Sequence, residues 1–185
     1  MPATVSDAGP LIHLAQIRKL YLVKKLFNHV IITPDVKREA YDEGVELGHP
    51  DVQIIGEAIQ EGCIKVEELP KRLASASKRL AADENISQAD AETLLLAREK
   101  RTDLLVDERA LSNLARMFRL KTGNTWTVLL ESLSKGYIGF SDIEDAIKEL
   151  SEKRHKLMGE QAAQILEAAR LIARKPREKP VGLTF

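Results

Sequence analysis

The stretch "ATVSDAGPLIHLAQ", residues 3–16, decides how the chain is read. A short apolar rise reaches Asp7, a break follows at Gly9-Pro10, and a helical pattern then takes over. Such a sequence reads as a strand handing on to a helix, with a carboxylate at the turn. Asp7 there either caps the incoming helix or serves as the first ligand of a metal site.

The same pattern recurs outward from this stretch. Apolar runs at "HVIIT" (29–33), "CIKVEEL" (63–69) and "DLLV" (103–106), with a weak run at 120–123, predict further strands. Between them lie helical segments: two short ones over 10–27, then one opened by Thr33 as N-cap with Pro34 at the first helical position. Residues 50–60, 86–100, 108–118 and 125–135 also read as helix, and 71–82 as surface helix or loop. In 86–100, Ser87 and Asp90 stand in capping-box relation. Strands alternating with helices predict βαβ units, hence an α/β fold with a doubly wound parallel sheet.

After Gly136 no strand signal remains. Residues 140–175 read as helix opened by a Ser141–Glu144 capping box and divided near Gly159. The expected organisation is a domain over 1–138, a helical extension over 139–175 and a mobile tail over 176–185.

Composition narrows the function. Twenty-eight Lys and Arg balance 28 Asp and Glu over 185 residues, so no global field draws the protein to nucleic acid or anionic lipid. A local basic rim around an acidic site is compatible with that sum. The aromatic share of 4% argues against a stacking platform for single-stranded bases. The lone Cys63 makes neither an internal disulfide nor a zinc cage and reads as a small core residue. His13, His29, His49 and His155 are scattered without ligand spacing. No charged-then-apolar leader opens the chain, and no apolar run approaches the ~20 residues of a membrane span, so a cytoplasmic protein is expected.

In an open parallel sheet, functional groups gather beyond the carboxyl ends of the strands. Asp7 follows the first strand and Asp107 follows "DLLV"; Asp90 and Glu39 lie in early turns of helices that open on that edge. Each has a structural alternative: Asp7 and Asp107 as helix caps, Asp90 as the partner of Ser87, Glu39 as a solvated charge near Asp42 and Glu43. Four carboxylates on one edge repel one another, and a hard divalent cation such as Mg²⁺ or Mn²⁺ relieves that repulsion.

These residues resemble the PIN-domain nucleases, particularly a prokaryotic branch of toxin-like members. The resemblance rests on "SDAGPLIHLA" (6–15), "IITPDVKREA" (31–40), "ADAETLLLARE" (89–99), "LLVDERALSNLA" (104–115) and "TGNTWTVLLESLSKGYI" (122–138), in family order. It implies a three-layer α/β/α fold and an acidic pocket holding Mg²⁺ or Mn²⁺, with Asp7, Glu39, Asp90 and Asp107 as both catalytic residues and ligands. Glu92 is a lesser candidate for the third position, about 200° round the helix from Asp90. It further implies metal-dependent endonucleolytic hydrolysis of RNA to 5′-phosphate and 3′-hydroxyl products, a possible toxin role with an antitoxin partner, and a homodimer.

Ala8-Gly9 stand where many relatives carry a hydroxyl, with Ser6 the nearest substitute, while Thr122, Asn124 and Thr125 offer further hydroxyl and amide groups or a turn and helix cap. Lys37, Arg38, Arg98, Lys100, Arg101, Arg109, Arg116 and Arg119, with the basic runs at 152–156 and 173–179, are candidate phosphate contacts or solvated faces. Gly9 excludes a haloacid-type phosphatase, which needs a second Asp there, and the chain lacks a P-loop. The alternative to a nuclease is an inactive PIN-like domain acting as an RNA-binding or assembly module.

Overall fold

The structure, a computed structural model, describes residues 3–153 and 159–174. The tail at 176–185 and the larger parts of the two late basic runs lie outside the described residues. The chain divides into two compact units, which join at Val128 and Leu129.

The first unit is built on a five-stranded sheet: β1 (Thr4–Ser6), β2 (Val30–Ile32), β3 (Ile64–Val66), β4 (Asp103–Leu105) and β5 (Thr122–Gly123). All pairings are parallel and the spatial order is β3-β2-β1-β4-β5. In the central strands β1 and β2 every residue is buried, which explains why they read as apolar runs rather than alternating ones. Val5 pairs with Ile31 on one side and with Leu104 on the other, placing these three side chains on one face.

That face carries the main core. Leu94 to Ala97 of α7 (Gln88–Lys100) and Leu111, Leu114 and Ala115 of α8 (Arg109–Met117) pack with Val5, Ile31, Leu104 and Val106. Burying side chains of this size contributes about 1.5–3 kcal/mol each. Helix α6 (Ala74–Glu84), entered through a 3₁₀ turn at Lys71–Leu73, packs on α7. Another group of contacts joins α1 (Ala8–Gln16) with α5 (Val52–Gln60), while the short α2 (Tyr21–Leu26) leads into β2. The result is the three-layer α/β/α arrangement.

Between β2 and α5 the chain forms α3 (Pro34–Lys37), a π-helical turn (Arg38–Asp42) and α4 (Glu43–Glu46) without interruption. Thr33 caps α3 through its hydroxyl, which accepts the Val36 N–H at 3.3 Å. The π turn has no counterpart in the expected pattern. Gly44 and Gly56 permit its close packing: a Cβ on Gly44 would meet Val52 Cγ1 at 2.2 Å, and one on Gly56 would meet Tyr41 at 2.7 Å.

The second unit begins within α9 (Thr125–Ser134) and continues through α10 (Phe140–Glu152) and α11 (Gly159–Arg174), which pack on each other. Here one expectation is corrected. Gly139, not Ser141, precedes the first helical residue, and its N–H is taken by Asp142 Oδ2 at 2.8 Å. Because glycine has no side chain to reciprocate, only half of a capping box forms. Cys63 also departs from expectation. It stands half-buried in the wall of a cavity of about 260 Å³ near the start of β3, with its thiol 3.6 Å from Glu61 Oε2.

Candidate active site

The chain runs outward from β1 to β2 and β3, then returns to place β4 on the other side of β1. A crevice therefore opens beyond the carboxyl ends of β1 and β4, the topological switch point where ligands bind in such sheets. Asp7 and Asp107 follow those two strands directly. The Asp7 N–H extends the ladder by donating to Leu105 O at 2.9 Å.

Asp7 occupies the N-cap position of α1, yet its side chain makes no capping bond. A capping carboxylate accepts from the second or third helical N–H, and since the third residue here is Pro10, which has none, only Gly9 is left to serve. Burial pushes the Asp7 carboxyl up to about 6, and the charges of Asp90, Glu39 and Asp107 push it the same way. The Ala8 backbone N–H only partly opposes them.

Glu39 projects from the π turn, exposed. Its carboxyl is raised by partial burial and by Glu43 and Asp90, with Arg38 pulling the other way. Asp90 lies in the first turn of α7 and completes the expected capping box: its N–H donates to Ser87 Oγ at 3.0 Å, and its Oδ2 accepts the Ser87 N–H at 3.3 Å. Its role as a cap and its electrostatic reach to Asp7 and Glu39 are thus both present.

Asp107 is held differently from a cap. Helix α8 starts only at Arg109, after Glu108. Oδ1 of Asp107 accepts the Thr125 N–H at 2.8 Å, and Oδ2 accepts the Thr125 hydroxyl at 2.7 Å and lies 2.6 Å from His13 Nδ1. Burial would raise this carboxyl, but the hydrogen bonds from His13 and Thr125 outweigh it and hold it below its ordinary value. Gly9 of α1 lies beside Asp107, where a Cβ would stand at an ordinary contact distance of 3.4 Å from Asp107 Cβ.

Asp7 thus feels the other three carboxylates through space, and Glu39 feels Asp90. Among the described residues, no group of three His, Cys, Asp or Glu side chains is drawn together tightly enough to hold an ion. The donor set itself, carboxylate oxygens under mutual repulsion, suits a hard divalent cation.

The remaining candidates fall elsewhere. Glu92 accepts from Gln88 Nε2 at 2.7 Å, and the same nitrogen donates to Ser77 of α6 at 2.8 Å. Ser6 is fully buried and its hydroxyl donates to Asp7 O. Asn124 caps α9 by accepting from Thr127 N–H and hydroxyl. Thr122 points to α8, where it meets Ser112 and Arg116. Only Thr125 of this group reaches the carboxylates.

The cations divide as well. Arg98, Lys100 and Arg101 end α7, about 12–17 Å along the helix from Asp90 and next to the start of β4. Arg116 and Arg119 end α8 just before β5. These five stand at the sheet edge opposite the acids. Arg98 lies over the Phe118 ring and Lys100 pairs with Glu67. On the acidic edge, Lys37 pairs with Asp42 and Arg38 with Asp35, leaving exposed Arg109 at the start of α8.

A family model described as a PIN domain matches residues 3–170, and the chain belongs to that family, whose members are generally nucleases and typically use divalent metals. The crystal structure of PAE2754 from Pyrobaculum aerophilum is similar over 70% of this chain and 96% of that one, with a TM-score of 0.50. At 19% identity that likeness concerns the fold. Comparison with curated proteins returns no match. Among the described residues, no helix is long and apolar enough to cross a membrane.

Proposed function

We propose that the chain is a metal-dependent endoribonuclease whose site comprises Asp7, Glu39, Asp90 and Asp107. The observation that carries this reading is the state of Asp7: a mostly buried carboxyl at the switch point, pushed to about 6 by burial and by the three other acids. A structural cap has no need of that arrangement, whereas a site for Mg²⁺ or Mn²⁺ does. The bound ion would polarise the phosphodiester and lower the pKa of the attacking water.

The protein's own groups supply the rest. Asp7, whose ionised form burial and the neighbouring acids disfavour, is the carboxylate that gains most from a bound cation. Asp107 keeps a fixed negative charge because Thr125 and His13 hold it ionised. Glu39, on the exposed π turn, meets the substrate side. Arg109 offers a contact to a backbone phosphate. Hydrolysis then breaks the bond between phosphorus and the 3′-oxygen, leaving a 5′-phosphate and a 3′-hydroxyl.

A toxin role, with an antitoxin partner and a homodimeric state, belongs to the same reading. Its support is the sequence resemblance to toxin-like members of the family. The separation of the carboxylates favours one competing view, an RNA-binding module without cleavage. A panel of labelled RNAs incubated with Mn²⁺ or Mg²⁺ separates the two. Cleavage that EDTA and Asp7→Asn both abolish is the expected result; binding without cleavage in any metal overturns it.

A further inference from the structure

His13 is a group that the acidic quartet does not call for, yet it is bonded to one of its members. It sits one turn after Gly9 on α1, so residues 9 and 13 share a helix face. Both lie beside Asp107, and His13 Nδ1 stands 2.6 Å from its Oδ2. An ionised carboxylate can only accept, so Nδ1 carries the hydrogen. The pair is partly open, with His13 21% and Asp107 14% exposed, and so faces the crevice rather than the core.

The consequence is mechanical. Asp7 stands at the start of α1, and Asp107 is anchored by Thr125 at the start of α9. His13 is a hydrogen-bonded side-chain link between the helix that carries Asp7 and the carboxylate of Asp107. Groups that orient a ligand set from behind alter metal affinity by about 10–100-fold when removed.

We propose that His13 is a positioning residue of the acidic site: it fastens α1 to Asp107 and so sets the separation of Asp7 and Asp107 for a shared divalent cation. The proposal rests on the reading of these acids as an ion site. It assigns His13 no contact with substrate.

The test is the affinity of the full chain for Mn²⁺ alone, measured by calorimetry, for wild type, His13→Ala, His13→Asn and His13→Gln. The Asn amide nitrogen takes the place of Nδ1, whereas the Gln amide reaches the place of Nε2. Wild type is expected to bind Mn²⁺, His13→Ala and His13→Gln about tenfold or more weakly, and His13→Asn close to wild type. Should His13→Ala fail to fold, the comparison of Asn with Gln decides alone. Equal affinity across the series, or equal rescue by Asn and Gln, overturns the role of His13 while leaving the ion site standing. Absence of Mn²⁺ binding by wild type overturns the ion site itself, and the role of His13 with it.

Discussion

Thr125 grips Asp107 twice, with its N–H on one carboxylate oxygen at 2.8 Å and its hydroxyl on the other at 2.7 Å. The two residues are far apart in the chain and come together because β4 and β5 are neighbours whose following segments open on the same edge. The first N–H of α9, an unsatisfied group at the positive end of a helix dipole, finds its acceptor in this carboxylate.

Removing the hydroxyl while keeping the N–H tests that grip. Thr125→Val is expected to lower stability by about 1.5–3 kcal/mol at pH 7, the usual worth of a hydrogen bond to a charged group. Asp107 is held below its ordinary pKa, so its contribution is present above the unfolded value of 3.8 and is lost as pH falls through the folded one. Urea unfolding at pH 7 and pH 3 should therefore show a gap between wild type and variant that narrows in acid.

Asp7 has the opposite sign. Its carboxyl is raised from 3.8 to about 6, so folding favours the protonated form. The stabilisation is full below pH 3.8 and is lost as pH rises through 6, leaving an ionised Asp7 that costs about 2–3 kcal/mol at neutral pH. Asp7→Asn is expected to raise the melting temperature at pH 7.5 and to lose that advantage toward pH 4, while abolishing cleavage. A variant less stable than wild type at pH 7.5 would contradict this.

Divalent cations should act through the same group. At a concentration about 100 times Kd, Mn²⁺ is expected to stabilise the wild type by about 2.7 kcal/mol. The effect should be smaller at pH 5, where protons compete for Asp7, and absent in Asp7→Asn. Thermal melts with and without EDTA give the readout.

The cations predict a polarity in RNA contact. Arg109→Gln, on the acidic edge, should weaken RNA binding and lower the salt slope by about one. Arg101→Gln and Arg119→Gln, on the opposite edge, should leave both unchanged. Filter binding across a salt series distinguishes them.

Much of this was legible in the residues. Apolar runs before Asp7 and Asp107 marked β1 and β4, Thr33-Pro34 marked the start of α3, and Ser87 with Asp90 marked α7. What stayed hidden depends on partners distant in sequence. His13 reads as one scattered histidine until Asp107 is brought beside it. The π turn under Glu39 arises where Gly44 and Gly56 let Val52 and Tyr41 pack closely, and no periodicity announces it. The cations misled because helix length, not sequence proximity to an acid, decides which edge they reach.

The position of β1 has a consequence for synthesis of the chain. Thr4 pairs with Asp103 across nearly the whole first unit, and Asp107 is fastened by Thr125 and His13. A chain still emerging from the ribosome holds Asp7 but lacks the strand and helix that face it. Closing such a long loop is among the slow events of folding. The four carboxylates therefore come together only once β4 and the start of α9 have been made.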